Sequence, residues 1–469
     1  MINKLFSIRI LILIAVTINF TSCSQKLIDK TQETAITVSR DSLSQNTLKE
    51  KEVITPALTD GVNLSNPSDE IIDSISNEDL QTVLIHKTAW EMALPVISLN
   101  TNETITFSFD DLEADVKHYK YTIFQCNANW QPSQLQPSQY IDGFTEDYIG
   151  DYKLSFNTIQ KYTHYNLIFP KETMKITKSG NYILKIYLDN NVNEPLIIRR
   201  FMVLEQKVNI NGKIKDATLL NDKKFKQEVD FNIITNNFII NNPSRNLVVK
   251  IFQNMRPDNA ICNLKPRLVK GNELDYDYDE GNTFNGGNEF RNFDIKSLKY
   301  NSERISHIEF ESGSNHVYLH NDLARRFKVY KTEEDINGKR AIKADYITDS
   351  ENEADYTYVH FTLPYDIPSV EGNIYLYGAF TNWKLDEHSR MTYSFKNRAY
   401  EATIFVKQGY YNYQYILQRP NKEIDDSFVE GNHSDAENDY FIFVYYRTTG
   451  ELYDKLIGFR QLNSINDRN

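Results

Sequence analysis

Apolar and polar residues alternate along most of the chain from Leu80 onward. Ile105, Phe107 and Phe109 interleave with Thr104, Thr106 and Ser108, which predicts a half-buried strand. Tyr119 to Cys126 reads as a second strand, Tyr152/Leu154/Phe156 as a third and Tyr165/Leu167/Phe169 as a fourth. Ser179-Gly180-Asn181 is a turn, after which Tyr182, Leu184, Ile186 and Leu188 line one face, and Ile197 to Leu204 closes the run. Seven or eight strands in about 125 residues predict one β-sandwich over 80–206.

The pattern continues in two further segments. Val229/Phe231/Ile233 and Leu247/Val249/Ile251 alternate in a segment read as 207–355, where longer polar loops separate the later strands and Asp322 to Lys328 suggests a short helix. Val359/Phe361/Leu363, Ile374/Leu376, Ala402/Ile404/Val406, Tyr411/Tyr413/Tyr415 and Phe441/Phe443/Tyr445 alternate in a third segment, 356–460. No stretch sustains a 3.6-residue period. The expected fold is all-β: three consecutive immunoglobulin-like or early-set β-sandwich domains, with a frayed tail over 461–469.

The first 79 residues follow other rules. Lys4 and Arg9 precede an apolar run from Ile10 to Phe20, which as a helix spans roughly 17 Å and falls short of the ~30 Å hydrocarbon core. This is the plan of a secretory signal peptide, 1–22. Phe20-Thr21-Ser22-Cys23 is similar to a bacterial lipoprotein box, with Phe where Leu is usual. Cys23 is the expected lipid-attachment residue, which would anchor the chain to a membrane through acyl groups. Ser24 to Asp79 has no aromatic residue and is rich in Ser, Thr, Asp, Glu, Lys and Asn, so 23–79 is expected to be a flexible tether.

Composition narrows the classes. Aromatic residues make up 13% of the chain, too many for disorder overall, and they concentrate in the strand-rich part. The formal net charge of -12 argues against a nucleic-acid partner, which needs a basic face to displace counterions. A mean hydropathy of -0.53 excludes a polytopic membrane protein. Besides Cys23 the chain has Cys126 and Cys262, for which two buried free thiols are expected, one disulfide being the alternative in an oxidising compartment.

Candidate chemistry is sparse. His316 and His320 sit four apart on an expected strand, about 13 Å from one another and too far to share a metal. Asp275 to Gly281 is acidic, but Glu280 and Gly286 stand where a calcium loop of the EF-hand type needs Gly and Glu. Tyr276 and Tyr278 alternating with Asp predict instead a strand with an aromatic inner face and an acidic outer face. The chain has no G-x-S-x-G, P-loop or H-E-x-x-H motif. No enzymatic activity, metal or cofactor is expected.

Gly378-Ala379-Phe380-Thr381-Asn382-Trp383, followed by the aromatic strand of Tyr411, Tyr413 and Tyr415, resembles the glycogen-binding modules of early-set immunoglobulin fold. The resemblance makes Trp383 a candidate for stacking on a sugar ring and a glycan-binding lipoprotein the alternative function. The second stacking Trp of those modules has no counterpart in Gln418 to Lys422.

Longer strings point elsewhere. Ser108-Phe109-Asp110-Asp111-Leu112, Tyr140 to Asp147, Asp151 to Thr158, Ile176 to Tyr182, Gly286 to Arg291, Gly431-Asn432-His433 and Tyr453 to Gly458 together resemble the plug proteins of the Bacteroidota type IX secretion system, from about Leu80 to about Asn463. The resemblance implies a non-enzymatic subunit. It would bind the periplasmic mouth of a giant outer-membrane β-barrel translocon and close it when nothing is being transported. It also implies residence in the periplasm, anchored to the outer membrane as a lipoprotein. Polar loops that host Gly often serve surfaces, so Asp142, Gly143 and Phe144, and Gly431, Asn432 and His433, are the candidate partner contacts.

Overall fold

The computed structural model describes residues 72–188 and 191–468. The expected signal peptide, the lipid-attachment Cys23 and most of the expected tether lie outside the described residues. The regular structure of the described part is nearly all strand, with three short helices at Pro137–Tyr140, Pro243–Asn246 and Ser350–Glu353.

The first sandwich matches its sequence pattern. One sheet runs in the order Ser74–Ile75, Ile197–Leu204, Gly180–Tyr187, Lys120–Cys126, Glu146–Tyr148, with Val96–Ser98 parallel to Ile197–Leu204. The other runs Leu80–Lys87, Ile105–Asp111, Thr163–Phe169, Asp151–Leu154. Most of the alternating residues read from sequence meet between them: Phe107 opposes Leu167 and Phe109 opposes Tyr165, whose rings stack at 5.0 Å, whereas Tyr152, Leu154 and Phe156 are exposed and their strand ends at Leu154. Tyr121, Ile123, Tyr182, Leu184 and Phe201 complete the core from the facing sheet. The tether ends earlier than expected. Ser74 and Ile75 pair with Ile198 and Ile197, because the edge of that sheet offers unpaired backbone groups that this segment satisfies.

The boundaries expected at 355/356 and 460 are corrected by the strand pairing. The second sandwich has one sheet of Asn209–Asp216, Lys226–Ile234, Glu273–Asp275 and Leu268–Lys270, with Thr283–Asn285 also on Lys226–Ile234. Its other sheet is Ile261–Cys262, Leu247–Gln253, Asp439–Tyr446, Lys455–Asn463. Val249 opposes Val444 and Ile251 opposes Ile442. The third sandwich is thus inserted between Thr283–Asn285 and Asp439–Tyr446. Its sheets are built on Gly409–Gln418, flanked by Arg291–Asp294, Arg340–Ile342 and Asn373–Tyr377, and on Ile305–Glu311, Ser314–Leu319, Tyr356–Pro364, Ala399–Lys407 and Thr392–Ser394. Phe293, Phe361, Tyr411, Tyr413 and Tyr415 form its core.

The physical reason lies in the strand Asp439–Tyr446, every residue of which is buried. Tyr440, Ile442, Val444 and Tyr446 face the second sandwich's core. Phe441, Phe443 and Tyr445 face outward, where they meet Val96, Cys126, Trp130, Ile183, Met202 and Leu204 from the outer face of the first sandwich. A strand apolar on both faces must be covered on both, which a position at the end of a separate third domain does not provide. The tail is not frayed either. Leu462 and Ser464 are buried, and Arg468 pairs with Asp216. The helix expected over Asp322 to Lys328 is absent, since the buried Asp322 side chain and the Arg325 N–H, donated to the Val429 carbonyl at 2.7 Å, hold the segment irregular.

A second interface joins the first sandwich to the third. Asp110, fully buried, accepts hydrogen bonds from His164 Nδ1 at 2.7 Å, Tyr356 OH at 2.7 Å and Lys407 Nζ at 2.6 Å. Asp355 accepts the backbone N–H groups of Ile159 and Gln160 at 2.7 and 3.1 Å. Burial alone would push the Asp110 carboxyl up, but the Lys407 ammonium and His164 hold it below its ordinary value. Removing one member of a buried pair strands the other, so Asp110→Ala is expected to cost about 3–5 kcal/mol. Equilibrium denaturation followed by tyrosine fluorescence checks this; a loss under about 1 kcal/mol, the range of exposed pairs, would contradict the buried role.

Candidate partner-binding surfaces

Glycine fixes the point where the chain passes into the third sandwich and back. A Cβ on Gly286 would lie 1.9 Å from the His433 carbonyl oxygen, so only glycine admits this contact. The His433 N–H donates to the Gly287 carbonyl at 2.8 Å, and the Gly287 N–H donates to Asn432 Oδ1 at 2.9 Å. Gly431-Asn432-His433 was expected to be a partner-contact loop. It is instead a strap between the inbound and outbound segments, with Gly431 buried and the other two half-buried. The glycine and the polar residues serve an internal crossing.

Beside the strap lies a buried ionic network. Arg291 Nε donates to Glu430 at 3.0 Å and Arg291 NH1 to Asp322 at 3.0 Å, while Arg325 Nε donates to Glu430 at 2.8 Å. Tyr413 and Tyr415 each donate to Asp322 Oδ2 at 2.6 Å. Burial opposes ionisation of Glu430, but Arg291 and Arg325 win and bring its carboxyl down to about 2. A cleft of about 370 Å³ opens onto this network, lined by Arg291, Arg304, Arg325, Lys328 and Lys331 among others.

Two exposed surfaces stand out. Asp142 and Gly143 pair with Lys175 and Met174 in a two-stranded ribbon. Gly143 has φ +107°, and a Cβ there would lie 2.3 Å from the Thr173 carbonyl oxygen, so this glycine is a requirement of the ribbon. Phe144 at its tip is 67% exposed. The chain then forms the edge strand of one sheet and crosses to the edge strand of the other, leaving Tyr148, Tyr152, Leu154 and Phe156 exposed as well. Five exposed apolar or aromatic side chains within thirteen residues of chain, along a ribbon tip and two sheet edges, are unusual on a surface meant only for water.

The second surface went unread in the sequence. In the segment 323–331, Phe327 and Val329 are each 93% exposed and Leu323 is exposed too, interleaved with Arg325, Arg326, Lys328 and Lys331. The signal was there, since a basic-apolar alternation in an acidic chain is conspicuous, but its spacing resembles a helix turn.

The remaining candidates are structural. Trp383 is half-buried, with its ring against Tyr377 at 5.1 Å and Phe290 at 6.1 Å, and its edge closes over Gly338. It fills a gap in the third sandwich and does not stand as an open stacking platform. His316 meets not His320 but His360, Nδ1 to Nε2 at 2.9 Å, on the neighbouring strand. Tyr276 faces inward and stacks on Phe231 at 4.7 Å, as the alternation predicts. Cys126 is a buried free thiol. Cys262 is half-buried and is not free, so the expected pair of free thiols holds for Cys126 alone.

Residues 80–205 match the family described as the type 9 secretion system plug protein, first domain. A crystal structure of a hypothetical protein from Parabacteroides merdae superposes with a TM-score of 0.81 at 33% identity, covering 84% of this chain and 99% of that one. The chain belongs to the type IX secretion system plug protein family. No curated protein matches it. The plug family is a structural, non-enzymatic component of a secretion system of the cell envelope. The ribbon and the exposed edge around Phe144 fall inside the matched plug domain, whereas the strap and the 323–331 segment lie beyond it.

Because the folded Glu430 carboxyl lies below its unfolded value of 4.5, it contributes stability that is complete above about pH 4.5 and is lost as pH falls toward 2. Glu430→Gln is therefore expected to lower stability at pH 7 and to flatten the acid limb between pH 4.5 and 2, read by denaturant titrations across that range. An acid limb as steep as that of the unsubstituted protein would refute the assignment.

Proposed function

We propose that this chain binds the periplasmic mouth of the giant outer-membrane β-barrel translocon of the type IX system and occludes it between transport events. Cys23, in the lipoprotein box, carries the acyl chains that keep the body at the outer membrane. The observation that carries the reading is the exposed apolar edge from Phe144 to Phe156, which sits within the plug-family domain of a body of three mutually packed sandwiches. An occluding subunit needs a fixed outline, and buried contacts on both sides of the first sandwich supply one. It also needs a surface with more to gain from a partner than from water, and aromatic side chains on a rigid sheet edge are such a surface.

The basic-apolar segment 323–331 supplies a second contact of opposite charge to the acidic whole. The glycan-binding alternative has no supporting geometry: Trp383 is packed, and Gln418 to Lys422 holds no second Trp.

Removal of the gene is expected to raise outer-membrane permeability to bulky antibiotics, and the protein is expected to co-purify with the giant barrel from membranes in mild detergent. The paired variant Phe144→Glu/Phe156→Glu is expected to cut recovery of the barrel about tenfold or more while leaving the melting temperature within a few degrees, as for exposed positions. Unchanged permeability together with no co-purifying barrel would overturn the proposal, and full recovery with the paired variant would overturn this edge as the contact.

A further inference from the structure

Among the described residues, three groups of carboxylates bring one ligand atom from each member within 4.8 Å of the others. Two of them already hold a cation. In Asp111/Glu113/Asp115 the Lys117 ammonium lies 2.7 Å from Asp111 and 3.5 Å from Asp115, and it also pairs with Glu113. In Glu228/Asp230/Asp277 the Lys215 ammonium lies 3.0, 2.8 and 3.9 Å from the three carboxylates. The third group, Glu289/Asp335/Glu437, differs. Among the described residues, none of its members makes an ion pair with Lys, Arg or His.

Only neutral donors serve this third group. Tyr330 OH and the Glu437 N–H donate to Glu289 Oε1, the latter at 3.1 Å. The N–H groups of Phe290 and Asn337 donate to Asp335. The side-chain amides of Asn337 and Asn463 donate to Glu437. These bonds leave oxygens over. Glu289 is 1% exposed and its Oε2 is buried with no hydrogen-bond partner. Asn337 is 6% exposed, its amide lies 3.0 Å from Glu437, and its Oδ1 is likewise buried without a partner. Reversing that amide would turn Oδ1 toward the three carboxylates.

We propose that Glu289, Asp335 and Glu437, with Asn337 Oδ1, form a calcium site. The donors are all oxygen, with no imidazole or thiolate, which selects a hard cation, and Ca²⁺ tolerates irregular sets of about 6–8 oxygens completed by water. Glu289 lies on the segment leading into the third sandwich, Glu437 on the segment leading out, and Asp335 on a loop between. An ion held by all three clamps the crossing at which the second sandwich is interrupted.

The test uses the mature chain stripped with EGTA, titrated with CaCl₂ in a calorimeter and melted with and without roughly 1 mM Ca²⁺. One Ca²⁺ per chain is expected, with a melting temperature raised by about 3 °C or more. Terbium luminescence sensitised by nearby Tyr330 should be displaced by Ca²⁺. Asp335→Asn should abolish binding and shift together, Glu437→Gln should do the same and serves if the first variant fails to fold, and Asp230→Asn in the lysine-filled group should keep both. Absence of heat and of a melting shift in the unsubstituted protein would overturn the proposal. So would calcium binding that survives both Asp335→Asn and Glu437→Gln. Neither readout depends on the barrel, so failure here leaves the plugging role standing.

Discussion

The second sandwich cannot close until the chain has made the third. Its central pairing joins Leu247–Gln253 to Asp439–Tyr446, so that Gln253 opposes Tyr440 at a sequence separation of 187. Closing so long a loop is entropically expensive if the loop is unfolded, and much less so once the insert has folded and its two ends lie side by side. The strap at Gly286 to Gly287 and Asn432 to His433 holds those ends together. The architecture thus rests on one crossing, and the glycine that admits the His433 carbonyl is as much a part of the second sandwich as any core residue.

That crossing also explains where the buried charge lies. Arg291, Glu430, Asp322 and Arg325 surround the two connecting segments, and Asp110 with Lys407 binds the insert to the first sandwich. Buried charges add little net stability compared with apolar contacts of the same volume, yet each is costly when left without its partner. Asp110 is satisfied only where Tyr356 and Lys407 of the third sandwich reach it. The apolar contact between Phe441, Phe443, Tyr445 and the outer face of the first sandwich has no such directional demand. One interface supplies free energy and the other fixes orientation.

What the sequence revealed follows the same division. Period-two alternation disclosed individual strands well, because a half-buried strand writes its burial into every second residue: Phe107, Phe109, Tyr165 and Leu167 were legible as core. Nesting was not legible, because alternation says which face is buried and nothing about which strand lies alongside. In Asp439–Tyr446 the alternating set Phe441, Phe443 and Tyr445 faces outward from the second sandwich, and the run is apolar on both faces. Gly143 and Gly431 both signalled a backbone constraint. Only the structure separates the exposed ribbon at Phe144 from the internal strap at His433, since glycine-rich polar loops look alike whether they meet solvent or another part of the chain. The helix expected over Asp322 to Lys328 fails for a related reason: the spacing fits a helix, and the buried side chain of Asp322 overrides it.

A body held in this way has few internal degrees of freedom, and that bears on how it could leave a pore. If the first sandwich swung away from the other two, Asp110 would lose two of its donors and Phe441, Phe443 and Tyr445 would lose their cover, so opening by an internal hinge is energetically the poorer route. Release as a whole body breaks only the contact with the partner. Of the side chains exposed along this run, Tyr148, Tyr152 and Leu154 sit on edge strands of the first sandwich and Phe144 at the ribbon tip, while Phe156 follows the last strand, its N–H bonded to the Asn352 carbonyl of the third sandwich at 2.9 Å and its side chain still exposed. Binding and release there leave the buried joints intact, which is the condition for a subunit that must close the same opening repeatedly without being unfolded to do so.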